Sequence, residues 1–334
     1  MGRCVAVVGY LLWAVPAWLA ATVGGCSGIS GRDAQQLTRQ QVEGPAKARV
    51  ASAAAAKELA TEKRFAVKVV KDVAYYDGPD ADAQRHKLDL YLPEGAAEFP
   101  VLVFIHGGGW TMGSKDQRVP FLGAYENLGR AFAERGIGTV LSNYRLSPKH
   151  KHPAHIEDVA RAWAWVHRNI ARYGGRPEQM FVMGQSAGGH LVALLACEPK
   201  YLQAHGLSVQ TIRGVIAMSG VYDLNLAPRE GRDARPPGMI TQAFGNDPAV
   251  WREASPLYGV RPGLPPFLVI SAAKEWAILR QQSERLVVAL RNAGVPTDFL
   301  ILPDKTHFSE VGDIGRKGDV ATEEIANFIR VHAR

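Results

Sequence analysis

Eight short apolar runs, the later ones separated by helical stretches, limit most strongly how this chain can fold. In chain order they read AVKVVKDVAYY, HKLDLYL, PVLVFIH, GTVLSNY, MFVMGQS, RGVIAMSG, PPFLVIS and TDFLILP. Helices are predicted at about 121–135, 156–172, 187–197, 278–293 and 320–332. Two strands without a helix between them, followed by strands that alternate with helices, predict an α/β fold. We expect a mostly parallel central sheet of about eight strands with helices on both faces.

Composition and patterning divide the chain into three parts. With 334 residues, 47% of them hydrophobic, the chain can bury one large core, and we expect a single folded domain over 65–334. Within it, 224–262 is rich in Pro, Gly and Arg without clear periodicity, and we predict a small cap there. The polar, alanine-rich stretch 27–64 contains no aromatic residue. It is predicted to be a tether, partly helical and partly disordered.

The first 26 residues have the pattern of an export signal. Arg3 precedes a long apolar stretch, which small residues and then Cys26 follow. The tetrad VGGC resembles a bacterial lipobox, in which the cysteine is lipidated and becomes the new N-terminus. A plain secretory signal or an uncleaved anchor is the alternative. We therefore expect an exported protein, anchored to the cell envelope through Cys26 or otherwise secreted.

Charge and cysteine usage exclude several classes of protein. The formal net charge is +7, but the excess is scattered and forms no basic stripe interleaved with aromatic residues, so we expect no nucleic-acid partner. The three cysteines are Cys4, Cys26 and Cys197. Cys4 leaves with the signal and Cys26 would carry lipid, so no disulfide framework is expected. Cys197 lies in an apolar helical run and is interpreted as a core residue.

The segment FVMGQSAGGHL places a serine on a turn between a strand and a helix. Gly184 to Gly188 satisfies G-x-S-x-G directly after a strand, which is the context that makes this pattern informative. The small residues on both sides let the strand and the helix approach closely. The turn then holds Ser186 in a strained conformation with its hydroxyl exposed, as a nucleophile requires.

A second glycine-rich loop, FIHGGGWTMG, follows another apolar strand. Because glycines leave backbone N–H groups unshielded, a substrate carbonyl oxygen can lie against them. We predict that Gly108 and Gly109, with Ala187 after the serine, donate to this oxyanion. A phosphate-binding loop is disfavoured, because the spacing is not G-x-G-x-x-G and no Walker lysine follows.

Histidine and acid candidates follow the serine along the chain. On folds with such a nucleophile turn, the acid and then the histidine each follow a strand. His307 after the last strand is therefore the predicted general base, and Glu275, where the loop leaves the preceding strand, is the predicted acid. Asp304, close to the histidine, and Glu284, within a helix, are alternatives for the acid.

Several further segments complete a resemblance to a known family. NYRL, SGVYDL and KTHF accompany HGGGW and GQSAGG in the expected order. On these segments residues 85–332 resemble the esterase/lipase branch of the α/β-hydrolase superfamily, with hormone-sensitive-lipase-like carboxylesterases, arylformamidases and isoprenylcysteine methylesterases. The resemblance implies that Ser186, Glu275 and His307 occupy the triad positions. Glutamate departs from the pattern, because most relatives carry aspartate there.

Other polar and aromatic residues have structural and functional interpretations. The histidines 150, 152 and 155 could bind a metal, but Pro153 interrupts a helical ligand spacing, so a solvated loop is favoured and no metal site is predicted. Asp158 is interpreted as anchoring a helix start or a loop, and Asp223 as fixing the loop after its strand. Trp110 and Trp276 are candidates for the acyl pocket or for plain packing.

Together these patterns predict a serine carboxylesterase that acts on small or medium esters through an acyl-enzyme. No cofactor is expected, the expected partner is a small-molecule ester, and the membrane is contacted only through the N-terminal lipid. The alternatives are amide hydrolysis of the arylformamidase type, against which export argues, and a noncatalytic binding protein on a hydrolase fold. The latter would lack a triad member.

Overall fold

A nine-stranded sheet forms the centre of the structure, a computed structural model that describes residues 49–50, 64–119, 123–226 and 238–334. The strands are β1 Arg49–Val50, β2 Val67–Ala74, β3 Lys87–Pro93, β4 Phe99–Ile105, β5 Arg118–Val119, β6 Gly123–Ala124, β7 Gly138–Ser142, β8 Gly175–Gln185, β9 Gly214–Met218, β10 Phe267–Lys274 and β11 Thr297–Thr306. Strands β5 and β6 pair with each other in a separate two-stranded sheet, and the other nine form the large sheet. The order in the large sheet is β1-β11-β10-β9-β8-β4-β7-β3-β2. The β2/β3 and β3/β7 pairs are antiparallel and the other pairs are parallel. The eight longer strands are the eight apolar runs, which confirms the predicted sheet.

The helices are α1 Tyr125–Ala133, α2 Ala154–Asn169, α3 Ala187–Cys197, α4 Pro199–Gln203, α5 Gly238–Phe244, α6 Pro248–Glu253, α7 Ala277–Asn292, α8 Ser309–Gly312 and α9 Val320–His332. All five predicted helices are present, and their ends differ from the prediction by at most a few residues. The four short helices α4, α5, α6 and α8 were not predicted, because a helix of four to seven residues is too short to show a periodic apolar face.

Helices cover both faces of the sheet because its central strands bury side chains on both faces. In β4, Val101, Val103 and Ile105 join one apolar cluster, whereas Leu102 and Phe104 join another. The first cluster also contains side chains of α2, α3 and α7, and the second contains side chains of α1 and α9. A strand buried on both faces reads as a continuous apolar run, which is why the sequence pattern was so clear.

Two residues of the predicted tether add to the edge of the sheet. Arg49 and Val50 pair in parallel with β11, and the guanidinium of Arg49 donates to both carboxylate oxygens of Glu324, at 3.0 and 2.6 Å. The predicted export signal, Cys26, residues 27–48 and 51–63 of the tether and residues 227–237 of the predicted cap lie outside the described residues. Among those that are described, no helix combines the length and apolar character needed to cross a membrane.

The predicted serine, acid and histidine follow the carboxyl ends of neighbouring parallel strands. Strands β8, β9, β10 and β11 are adjacent in the sheet, and they end at Gln185, Met218, Lys274 and Thr306. Ser186, Ser219, Glu275 and His307 follow those four residues directly. Because parallel strands all end at the same edge, residues far apart in sequence become neighbours there.

Candidate active site

Ser186 occupies a strained turn between β8 and α3. Its backbone angles are φ 58° and ψ −121°, a conformation that non-glycine residues rarely adopt. The N–H of Ser186 donates to Met218 O at 2.9 Å, which ties the turn to the end of β9. The side chain is half-buried. The turn therefore has the geometry of a nucleophile elbow, as the sequence predicted.

Glycines on both sides of the serine make this turn possible. A Cβ on Gly184 would lie 2.3 Å from Gly188 O, and a Cβ on Gly188 would lie 2.1 Å from Ile105 O. A Cβ on Gly189 would lie 2.7 Å from Met218 O. All three contacts are with backbone atoms, so any larger residue would force α3 away from the sheet.

His307 and Glu275 form a hydrogen-bonded pair. His307 Nδ1 lies 2.8 Å from Glu275 Oε2, and Trp276 N–H donates to the other carboxylate oxygen at 2.8 Å. Burial of the carboxyl raises the pKa of Glu275, but the hydrogen bond and charge of His307, with the Ser219 hydroxyl and the Trp276 N–H, lower it below its usual value. The carboxylate therefore stays charged and fixes the proton of the imidazole on Nδ1.

The two alternative acids lie elsewhere. The side chain of Asp304 is 90% exposed and its carboxylate lies 3.4 Å from Lys274 Nζ. Glu284 lies in the middle of α7, and burial raises its pKa. Of the three candidate acids, only Glu275 is hydrogen-bonded to His307 in the described structure.

No hydrogen bond joins the Ser186 hydroxyl to His307 among the described residues, although the sequence predicted that the base would reach the serine. Instead, the side-chain amide of Gln185 donates to His307 Nε2 at 3.1 Å and to His307 O at 2.8 Å. With the Nδ1 proton held by Glu275, Nε2 is the free acceptor of the ring, and the nearby amide N–H satisfies it. Serine–histidine hydrogen bonds are often long without substrate and tighten in the complex.

The glycine loop after β4 passes beside the serine. A Cβ on Gly107 would lie 3.3 Å from the Cβ of Ser186. Gly108 and Gly109 have φ values of 112° and 57°, which favour glycine. In the described part of the chain, no hydrogen bond occupies the N–H groups of Gly108, Gly109 or Ala187. These three predicted oxyanion donors are therefore free to bind a ligand oxygen.

Buried polar contacts hold this loop against the nucleophile helix. Trp110 Nε1–H donates to His190 Nδ1 at 3.3 Å, and His190 Nε2–H donates to Ala254 O at 2.7 Å. Burial lowers the pKa of His190 to about 3, so the ring is neutral and accepts the first bond while donating the second. Trp110 is thus a buried packing residue that links loop, helix and cap region.

An ion-pair cluster anchors the far end of the same loop. The buried ammonium of Lys115 lies within 2.9 Å of carboxylate oxygens of Asp72, Asp89 and Asp116. The Lys115 N–H donates to Asn143 Oδ1 at 2.6 Å. These contacts fix the loop from β2, β3 and the end of β7, which preorganises the glycines.

The remaining candidates of the sequence analysis have structural contacts. Asp158 is buried and accepts hydrogen bonds from Arg145 and His86, and Asp223 accepts from Asn225 N–H and Tyr258 O–H. His155 is fully buried and its side chain contacts Ser147 Oγ at 2.9 Å, so the prediction of a solvated histidine loop is wrong at this residue. Both aspartates thus anchor loops, as predicted.

One group of potential metal ligands occurs among the described residues. Glu275, His307 and Glu310 each bring one ligand atom to within 4.8 Å of the others. Histidines 150, 152 and 155 are not part of any such group in the described ranges. Because Glu275 and His307 already share a hydrogen bond through these atoms, we interpret Glu310 as a third member of the hydrogen-bonded pair rather than the group as a metal site.

Apolar and aromatic side chains surround the paired residues. The ring of Trp276 lies 4.6 Å from that of His307 and 5.9 Å from that of Phe308. Phe308 and Met112 are exposed, and Met239 of α5 lies next to Gly109. The surface near His307 and the glycine loop is therefore apolar, and part of the predicted cap contributes to it.

Three polar residues of the site were not predicted from the sequence: Gln185, Ser219 and Glu310. Ser219 Oγ donates to Glu310 Oε2 at 2.8 Å, and the Gln185 amide donates to Glu310 Oε1 at 3.3 Å. The available signal was position, because Gln185 is the last residue of β8 and Ser219 directly follows β9. Glu310 gave a weaker signal, three residues after His307.

Comparisons with known proteins place these features in context. The BD-FAE family matches residues 88–290, well over half of the chain. Esterase LipQ of Mycobacterium tuberculosis is 34% identical over 279 residues, covering 80% of this chain and 63% of LipQ. Isoprenylcysteine alpha-carbonyl methylesterase ICME of Arabidopsis thaliana is 29% identical over 265 residues, covering 73% of this chain and 57% of that protein.

Among solved structures, esterase B from Lactobacillus Rhamnosis (HN001) matches with a TM-score of 0.66 and 22% identity, over 90% of this chain and 94% of that one. This match confirms the predicted α/β-hydrolase fold. The chain spans about three fifths of the length of the two curated relatives.

Proposed function

The chain belongs to the BD-FAE family, and we propose that it is a serine hydrolase that cleaves carboxylic esters of small or medium substrates. The observation that carries this proposal is the hydrogen bond of 2.8 Å between His307 Nδ1 and Glu275 Oε2, next to the strained turn of Ser186. A serine on such a turn, a histidine with a fixed tautomer and free backbone donors are the parts that acyl transfer requires. The names of the relatives, LipQ and ICME, are those of esterases.

The proposed reaction has two steps. Ser186 Oγ attacks the ester carbonyl carbon while His307 Nε2 takes the serine proton, and the N–H groups of Gly108, Gly109 and Ala187 donate to the oxyanion. His307 then gives its proton to the leaving alcohol as the C–O bond breaks. Water, deprotonated by His307, attacks the acyl-enzyme and releases the acid and the free serine.

The first step requires Gln185 to release His307 Nε2. In the structure the Gln185 amide occupies the nitrogen that would accept the serine proton. A hydrogen bond of this kind is exchanged at little net free energy once another donor is present. The Ser186 hydroxyl, brought closer when substrate binds, supplies that donor.

The apolar surroundings favour esters with an apolar acyl or alcohol group. Trp276, Phe308 and Met112 present aromatic or thioether surface beside the paired residues and the glycine loop. For an exported enzyme, a small methyl ester, an acetylated sugar or a feruloyl-type ester would be suitable substrates.

Steady-state hydrolysis by the full chain tests this proposal. We expect the wild type to hydrolyse p-nitrophenyl acetate and butyrate faster than a formanilide of similar size, and Ser186→Ala to be inactive with an unchanged circular dichroism spectrum. Faster hydrolysis of the formanilide would favour the arylformamidase alternative. Absence of both activities would favour a noncatalytic binding protein.

We also propose that the protein is exported and anchored through lipid on Cys26. The support is the order of charged start, apolar stretch and VGGC in the first 26 residues. Mass spectrometry of the mature protein is expected to find a diacylglyceryl group on an N-terminal Cys26, and Cys26→Ser is expected to leave the membrane fraction. Any other mature N-terminus would reject the anchor.

A further inference from the structure

A second carboxyl group lies beside the His307–Glu275 pair. Glu310, in the single turn α8 that follows His307, is fully buried. Its Oε1 lies 4.0 Å from His307 Nδ1 and accepts from the Gln185 amide at 3.3 Å, while its Oε2 lies 2.8 Å from Ser219 Oγ. An uncompensated buried carboxylate is costly, so this arrangement needs a physical explanation.

Only one of the two neighbouring glutamates can hold the charge. The carboxylate oxygens of Glu275 and Glu310 lie within 4.8 Å of each other. Two carboxylates at this distance in a buried site do not both ionise at neutral pH. Glu275 has the stronger partners, because it bonds to His307 Nδ1 and to Trp276 N–H. Burial, and the negative charge of Glu275, raise the pKa of Glu310 well above its usual value. Glu310 is therefore the neutral member.

The groups facing Glu310 from the strands around it suit a neutral acid. Strand β8 contributes the Gln185 amide, and the Ser219 hydroxyl comes from the residue after β9. Strand β10 contributes the Ala272 N–H, and the Glu275 carboxylate directly follows that strand. His307 approaches from the segment just before α8, the helix that carries Glu310. No lysine or arginine is among these partners. The Ser219 O–H donates to Glu310 Oε2 and the Gln185 amide donates to Oε1. A neutral carboxyl can accept both bonds, because each of its oxygens keeps acceptor capacity when the group is protonated.

We propose that Glu310 is a positioning residue of the active site, whose neutral carboxyl holds the Gln185 amide and the Ser219 hydroxyl and thereby fixes His307 and Glu275. The inference rests on the proposed function. Gln185 carries the effect to both reacting groups, because it bonds to His307 and directly precedes Ser186 in the chain. Glu310 does not touch substrate. It sets the geometry of the residues that do.

Three variants of the full chain separate a neutral positioning acid from a charged one. Glu310→Gln keeps one acceptor and one donor in place, so we expect kcat to stay within about fivefold of wild type. Glu310→Ala leaves Gln185 and Ser219 without this partner, and we expect kcat to fall by about 10- to 100-fold with KM little changed. Glu275→Gln, which removes the charged acid, is expected to lose about 10⁴-fold. Glu284→Gln, a partly buried glutamate on α7, is the control and should behave as wild type.

The outcomes are distinct. Loss in Glu310→Gln as large as in Glu275→Gln would show that Glu310 carries the charge, and wild-type kcat in Glu310→Ala would show that it positions nothing. Either result overturns the proposal while leaving the esterase activity of the wild type intact. Should Glu310→Ala not fold, Gln185→Ala removes the same link from the other side and is expected to give the same fall in kcat.

A spectroscopic measurement tests Glu310 without relying on catalysis. The proton between His307 Nδ1 and Glu275 should give a low-field proton NMR signal that is absent in His307→Ala. We expect this signal in wild type and Glu310→Gln, and its loss or broadening in Glu310→Ala. An unchanged signal in Glu310→Ala would contradict the proposal, even if the wild type hydrolysed no ester.

Discussion

Substituting Gly188 by alanine should damage both stability and catalysis. The added Cβ would lie 2.1 Å from Ile105 O and 2.7 Å from His106 O, and Cβ atoms essentially never approach a neighbour closer than 3.0 Å. Relief of the first contact alone therefore requires β4 and α3 to separate by about 0.9 Å. Both atoms belong to the backbone of a central strand and its following loop, so no side-chain rotation can provide this space.

The same displacement determines the expected magnitudes. Overpacking of this kind typically costs about 1–3 kcal/mol of unfolding free energy. Because α3 begins directly after Ser186 and the moved loop leads to the glycine donors, a displacement near 1 Å is expected to lower kcat by roughly 100-fold. Urea unfolding followed by circular dichroism measures the first effect, and hydrolysis of p-nitrophenyl acetate measures the second.

Gly238→Ala provides the matched control. Among the described residues, a Cβ at Gly238 would have no neighbour within 4 Å, and Gly238 begins helix α5. We expect its unfolding free energy and kcat to match wild type closely. If Gly188→Ala were as stable and as active as this control, the close approach of β4 and α3 would not be what positions the nucleophile turn.

Three other predictions follow from single contacts. Glu275→Gln should fold normally but lose about 10⁴-fold in kcat, whereas Asp304→Asn should keep the wild-type kcat. The reverse result in the ester assay would assign the role of the acid to Asp304. His190→Phe leaves the Trp110 N–H and the Ala254 carbonyl unpaired, and each unpaired group should lower the unfolding free energy measured in urea by about 1–3 kcal/mol. His167→Phe on α2 is the control and should lower the unfolding free energy little; equal losses in the two variants would contradict this prediction. Burial alone would raise the pKa of Asp158, but bonds from its histidine and arginine partners lower it to about 2. Its stabilisation is thus present above about pH 4 and lost as the pH falls toward 2, so Asp158→Asn should flatten that part of the stability curve, and an unchanged slope would refute the assignment.

The elements of the fold could be predicted because burial on both sides of the sheet leaves long apolar runs in the sequence. Strand β4 reads FPVLVFI because successive side chains enter opposite cores. The nucleophile turn could be predicted because Ser186 needs small neighbours at fixed positions. The pairing of Arg49–Val50 with β11 could not, because a strand of two residues has no detectable period.

The pair His307–Glu275 could be predicted from chain order alone, because each residue follows a strand at the same edge of the sheet. The contacts behind that pair could not be predicted. The Gln185 side chain contacts His307, 122 residues later in the sequence, and Glu310, 125 residues later. Which way an amide or a carboxyl side chain turns at such a junction is decided by the packing of four strand ends together, and no local pattern records it.

The most direct test of the account is the site at which a fluorophosphonate reacts with the full chain. We predict a single phosphonyl adduct on the peptide that contains Ser186, formed rapidly by wild type, slowly by His307→Ala, and not at all by Ser186→Ala. An adduct on any other residue, or labelling of Ser186→Ala at the wild-type rate, would contradict the claim that Ser186 is the activated nucleophile.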